Sequence, residues 1–268
     1  MKPLVLSLKH EPDQRLDLSP LVPHLLEGKS QADIGGIELQ TTRERIALGD
    51  LFKIRLGSAE SIRIEGGSER LDHVGRELKS GEILVEGDVG KAAGRGMSGG
   101  SLIIAGNAGP YAGSGLSGGR FEISGNAGDF LGAPHEGEME GLTGGLLIVR
   151  GNAGARAGDR LRRGTIVIEG SASDHPGSRM IAGTLIILKA CGAAPGTLMR
   201  RGTLLLGKPP ELSPTFIDCG VHELAFARLF SNLLKHESRG ASRLFLRPLA
   251  RFGGDQAALG KGEIFFPA

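Results

Sequence analysis

The chain has 268 residues and a formal net charge of +2, a balance that gives no case for nucleic-acid or membrane-surface binding. Forty-five glycines and no tryptophan are unusual for a globular enzyme, yet there is no three-residue period, which excludes collagen. Two cysteines make no disulfide framework, and neither a signal peptide nor an apolar run near eighteen residues is found, so a soluble, cytoplasmic, reducing setting is expected.

Residues 1–60 read as an irregular β segment. Leu4, Leu6 and Leu8 alternate as in a strand, and Pro20 and Pro23 argue against a long helix over 16–26. Ile37 with Leu39, Ile46 with Leu48, and Phe52 with Ile54 mark further short strands. Ile62 and Ile64 before Gly66 form a degenerate first repeat.

From 61 to 208 a nineteen-residue period takes over. Gly87, Gly106, Gly125, Gly151 and Gly170 end successive apolar runs, and Lys189 and Lys208 continue the register. The one step of 26 is a period plus a seven-residue insertion near Ala133 to Met139, expected to bulge from one corner. Two more glycine columns keep phase, Gly94 to Gly196 and Gly81 to Gly202. Between them five-residue runs alternate, as at Leu102 and Ile104 or Phe121 and Ile123, which is the pattern of a strand with one buried face. A second inward column is Met97, Leu116, Leu142, Leu161, Met180 and Met199. Nineteen residues are too few for a helical repeat and suit one turn of a β-solenoid, whose strands stack about 4.8 Å apart. The predicted fold is therefore all-β: a single-stranded β-helix of about eight coils forming a rod on the order of 40 Å long. Asn107, Asn126 and Asn152, with Asp88 and Ser171, read as a ladder of turn residues rather than a ligand site.

Residues 209–268 read as a linker, a helix and a tail. Pro209, Pro210 and Pro214 end the repeat. The stretch GVHELAFARLFSNLLKHES, from Gly220, carries Leu224, Ala227, Phe230 and Leu234 at helical spacing, with Phe226, Leu229 and Leu233 widening the face. This helix is expected to pack on the last coil or the side of the stack and to cap it, because an open solenoid end leaves strand edges unpaired, with contact to a partner as the alternative.

The search for chemistry assigns no catalytic residue and no metal site. The seven histidines, His10, His24, His73, His135, His175, His222 and His236, form no H-x-H or H-E-x-x-H pair. Asp218, Cys219 and His222 have the right types for zinc or a nucleophilic pair, but no second cluster completes a ligand set, and a turn is the plainer reading. GDVGKAAGRG lacks phosphate-loop spacing, and no helix follows each strand as a dinucleotide fold requires. A solenoid enzyme acting on polysaccharide would need paired carboxylates on one face, and Asp129, Asp159 and Asp174 read as out of phase. Arg162 and Arg163 share repeat positions with Arg200 and Arg201, with Arg179 close in phase; they form either a solvated face or a stripe for an acidic partner or anionic tail.

The series G-N-A-G-x-x-x-G with G-G-x-[LI]-x-[IV], over about residues 60–208, resembles the C subunit of the formylmethanofuran dehydrogenase family, and SPTFIDCGVHELAFARLF (213–230) is similar to the tail of those proteins. The bacterial relative of that family is the formyltransferase/hydrolase complex, and the β-helix is shared with the C-terminal domain of the glutamate synthase large subunit. The resemblance, with the right-handed bias of crossovers, implies a right-handed β-helix. It implies a structural subunit without catalytic residues or a cofactor of its own. Its partners would be a zinc amidohydrolase-like subunit, a formyltransferase subunit and a dehydrogenase-B-like subunit. Zinc, tetrahydromethanopterin and a methanofuran-type carrier would be bound by those partners. The complex would take a formyl group from formyl-tetrahydromethanopterin through the carrier and release formate. The alternatives are the C subunit of an archaeal molybdenum or tungsten dehydrogenase and a glutamate synthase-like module.

Overall fold

The computed structural model describes residues 2–41, 43–224 and 226–268. The chain is mostly β, with one large sheet of thirteen strands, rich in parallel pairs. Eight strands follow one another in sequence order and pair in parallel: Ser58–Glu65, Glu82–Glu86, Ser101–Ile104, Arg120–Ile123, Leu146–Val149, Thr165–Ile168, Thr184–Ile187 and Arg201–Leu206. The register is strict. Phe121 lies between Leu102 and Leu147, and Leu185 between Ile166 and Leu204. A second line of parallel bridges joins Val89, Ala108, Ala127, Ala153, Ala172 and Cys191. The Met97-to-Met199 column is fully buried, as are the alternating residues of these eight strands, from Ile62 and Ile64 to Leu204 and Leu206.

Hydrogen bonds at the corners follow the same period. The side-chain oxygen of Asp88 accepts from the Asn107 N–H at 2.7 Å, Asn107 from Asn126 at 2.8 Å, Asn126 from Asn152 at 2.8 Å, and Asn152 from Ser171 at 2.9 Å. The Asn column is thus a ladder that satisfies backbone donors one repeat on, and it extends to Ser171.

The glycine columns have two different causes. Gly113 has φ +71°, and a Cβ there would strike the Leu147 side chain. Two residues earlier Tyr111 has φ +61°, in a column that includes His73, Phe130, Arg156 and His175, all with positive φ. The left-handed corner therefore accepts side chains that point outward, and glycine is required at Gly113 because that position faces the core. Gly106 has no positive φ; a Cβ there would meet the Gly87 backbone at 2.5 Å.

At the N-terminal end Pro3–Leu8 adds a parallel strand beside Ser58–Glu65, and Phe52–Arg55 closes the sheet antiparallel. A helix at Gln31–Gly35, absent from the sequence reading, starts at a reciprocal cap between Ser30 and Asp33.

The C-terminal region departs from expectation. Ile217–His222 is an exposed strand, and the helices are Ala227–Leu234 and Arg239–Leu244 rather than one span from Gly220; Ala225 lies outside the described residues. Gly220 has φ +83°, which a helix cannot use, and the strand's partner, Leu249–Gly254, is distant in sequence. Nor does a helix cap the stack. Lys261–Pro267 pairs in parallel with Arg201–Leu206, and the strands Leu249–Gly254 and Ile217–His222 follow it antiparallel.

The helices cover the sheet's outer face instead. Ala227, Leu234, Ala241, Leu244 and Phe245 bury Val167, Ile186, Leu205 and Phe265. Leu229 and Leu233, which the pattern assigned to the packed face, are exposed. Arg150 ties the connection between the helices to the sheet. It donates to both Glu122 oxygens at 2.9 and 3.0 Å, to Glu169 at 3.0 Å and to the Glu237 carbonyl at 2.7 Å, while Ser238 donates to Glu169 at 2.6 Å.

Gly113→Val is expected to destabilise the protein by roughly 1–3 kcal/mol or more, through left-handed strain and overpacking. Arg156→Ala should stay within about 0.5 kcal/mol. Equal thermal midpoints for the two variants would refute the inward-facing account of the glycine column.

Candidate functional site

The Cys219–His222 cluster does not assemble. Both residues sit on the exposed strand Ile217–His222. The His222 Nε2–H donates to the Cys219 carbonyl at 2.8 Å, and the Cys219 thiol donates to the Ile217 carbonyl at 3.4 Å. Asp218 accepts from the Gly220 N–H at 2.8 Å. The three groups are therefore engaged with local backbone rather than with one another. Cys191 is a separate thiol, half-buried, and burial pushes its pKa up. Among the described residues no group of three or more His, Cys, Asp or Glu side chains is placed to hold a metal.

The carboxylates need one correction. Asp129 and Asp174 share a column, contrary to the sequence reading, because the insertion shifts numbering by seven between them. Asp129 accepts from the Ala155 N–H at 2.7 Å, Asp174 from Ala193 at 2.8 Å, and Asp72 from Lys91 at 2.9 Å in the same way. Each is a rung in a second corner ladder. Asp159 is buried elsewhere, held by Ser178 at 2.8 Å and the Arg179 guanidinium at 2.9 Å. Arg179 thus serves this internal pair and leaves the arginine stripe.

The other four arginines do come together. Arg162, Arg163, Arg200 and Arg201 line a groove of about 300 Å³ with Ile181, Ala182 and Leu259. The repeat places them there: two periods separate 162 from 200 and 163 from 201, and the repeat between supplies the smaller pair Ile181 and Ala182. Leu259 comes from the C-terminal segment, which no periodicity could place.

The insertion forms a second polar feature. His135 stacks on Tyr111, with ring centroids 4.5 Å apart, and Tyr111 stacks on Phe130 at 4.8 Å. Glu138 accepts from the His135 N–H at 3.0 Å and from Arg95 at 2.8 Å, and Arg160 donates to the Glu138 carbonyl at 3.1 Å. Burial alone would raise the Glu138 pKa, but the His135 N–H, the Arg95 hydrogen bond and the Arg95 charge bring it below the usual carboxylate value. Met139 is 73% exposed, the loop's one large apolar contact surface.

Known proteins resolve what such a frame belongs to. The chain is 56% identical over 263 residues to the C subunit of the formyltransferase/hydrolase complex Fhc of Methylorubrum extorquens, covering 98% of this chain and 99% of the relative. The chain belongs to the C-subunit family of formyltransferase/hydrolase complexes. It superposes with a TM-score of 0.95 on a chain of the M. extorquens FhcABCD crystal structure in complex with methylofuran; identity there is 45%, with 98% and 99% of the two chains covered. Over 99 residues it is 34% identical to the C subunit of tungsten-containing formylmethanofuran dehydrogenase 2 of Methanothermobacter thermautotrophicus, covering 35% of this chain and 37% of that one. No family model matches the chain. No helix among the described residues is long and apolar enough to cross a membrane.

The insertion generates two expected outcomes. The Leu142 N–H donates to the Gly132 carbonyl at 2.8 Å, so the ends of the loop already meet. Deleting 134–140 should leave a cooperatively folding protein, and loss of the folding transition would refute an external loop. Burial holds the His73 and His135 imidazoles below the usual histidine value, and Arg95 adds to the effect at His135. The unfolded chain then binds more protons than the folded one, so stability is fullest above about pH 6.5 and is lost as pH falls toward the folded values. The fall in thermal midpoint between about pH 7.5 and 5.5 should be smaller in His135→Gln than in the unsubstituted protein.

Proposed function

We propose that this chain is the structural subunit of a formyltransferase/hydrolase complex, holding catalytic subunits in place without contributing a catalytic residue. The observation that carries the reading is the near-complete superposition, at a TM-score of 0.95, on a chain of the FhcABCD complex. Match over the whole length, against 35% of the chain for the archaeal dehydrogenase relative, favours the hydrolytic assembly.

The in-register strands, the second line of bridges and the two corner ladders support a right-handed single-stranded β-helix of about eight 19-residue coils as the rigid body. Such a body changes shape little when partners dock. In this reading the partners are a zinc amidohydrolase-like subunit, a formyltransferase subunit and a dehydrogenase-B-like subunit. The formyl group leaves formyl-tetrahydromethanopterin, rides a methanofuran-type carrier and is released as formate. The carrier assignment is supported by the methylofuran present in the FhcABCD crystal structure. The non-catalytic role is supported by the separate local engagements of Cys219 and His222.

The test is to purify the chain alone and from its native host. The lone chain should show neither formyl hydrolase nor formyltransferase activity, and the native mass should far exceed one chain of 28.0 kDa. Activity of the lone chain that Cys219→Ala or His222→Ala abolishes would overturn the reading.

A further inference from the structure

The arginine groove has a charge pattern unlike the rest of the sheet. Elsewhere a cation on one strand meets a carboxylate on the next: Arg63 with Glu86, Arg150 with Glu169 at 3.0 Å, Arg251 with Glu263 at 2.7 Å. In the groove the column runs Arg163, Ala182, Arg201 and then Lys261, which is the in-register neighbour of Arg201. Arg200 stands beside it. Arg163, Arg200, Arg201 and Lys261 are all exposed, and among the described residues none of them has a carboxylate within ion-pair distance. Arg162 does, in Glu140.

Stacking like charges in register is unfavourable, more so at the roughly 4.8 Å spacing of neighbouring strands. The backbone gives no relief, since these positions are pinned by N–H donation from Arg162 to Leu142 at 3.0 Å and from Arg200 to Met180 at 2.8 Å. The middle rung, Ile181 and Ala182, leaves a floor between the two arginine pairs, and Leu259, 44% exposed, adds an apolar wall.

We propose that this groove docks an acidic segment of a partner subunit, with carboxylate side chains seated between the arginines and against Lys261. The proposal rests on the reading of the chain as a subunit of a larger complex. The charge is complementary, and guanidinium forks take carboxylates in bidentate pairs. The cations spread over three strand spacings, about 14 Å, on an open surface. That spread suits a run of carboxylates on a polypeptide better than one small anion, which would call for an enclosed site.

The experiment uses the whole complex, co-expressed with a tag on a different subunit and washed through a salt series. The triple variant Arg163→Ala/Arg201→Ala/Lys261→Ala should bind the other subunits at least about tenfold more weakly than the unsubstituted chain at about 0.15 M salt, with the difference closing near 1 M. Arg163→Lys/Arg201→Lys should recover part of the loss. Lys189→Ala/Lys208→Ala, which removes exposed cations outside the groove, should match the unsubstituted chain. The triple variant on its own should melt no lower than the unsubstituted protein, since it removes only repulsion. Unchanged retention of the triple variant at every salt concentration would overturn the proposal. So would unchanged retention with loss of a bound small anionic carrier, which would assign the groove to that ligand. Failure of the unsubstituted chain to join any complex would instead remove the reading on which the proposal rests.

Discussion

Parallel backbone pairing at a fixed step of nineteen residues is the constraint on which the structure depends. Each strand is only four or five residues long through most of the stack, too short to hold a position by itself, and each gains donors and acceptors from the repeats before and after it. Register then becomes collective. Slipping one repeat would move its inward residues, such as Phe121 and Ile123, to the outside. It would also break the Asn ladder and bring the core-facing glycines against the wrong neighbours. The insertion at 133–139 is tolerated because it leaves at a corner and returns within hydrogen-bond reach of its start.

A stack of this kind has two ends and an outer face, and the chain treats them differently. Antiparallel strands close both ends. The outer face is bare or polar in the early repeats, where Glu122 and Arg150 cross it, and apolar in the later ones, where the two short helices lie. Arg150 stands at the boundary, joining sheet carboxylates to the backbone between the helices. The final edge strand, Ile217–His222, Met139 and the arginine groove are exposed among the described residues.

The same periodicity that builds the frame also arranges charge. Residues nineteen apart become neighbours at about 4.8 Å, so a substitution in one repeat is always read against the repeats beside it. Arg150 and Glu169, nineteen apart, form an ion pair at 3.0 Å in this way. In the groove it sets Arg163 and Arg201 in one column, a stacking of like charges that is unfavourable in isolation.

The period, the inward columns and the turn ladder were legible in the sequence because each depends on contacts between residues a constant distance apart. The Leu102–Ile104 alternation, the Met97-to-Met199 column and the Asn107–Asn152 corner all took their expected places. So did the pairing of Arg162 and Arg163 with Arg200 and Arg201, which needed only the same arithmetic. The strands LLIV, TIVI and TLII are apolar at successive positions and buried on both faces, but Ile83-Leu84-Val85 and Leu102-Ile103-Ile104 read the same way with Leu84 and Ile103 left half-buried, so the pattern by itself did not single out the later repeats. Tertiary structure alone decided what covers them. Helical spacing over 220–238 could not reveal that Gly220 turns with positive φ, that Ile217–His222 finds its partner at Leu249–Gly254, or that Lys261–Pro267 returns to extend the sheet and set Lys261 beside Arg201. Those contacts join segments tens of residues apart with no period between them, and local pattern carries no information about where such segments meet.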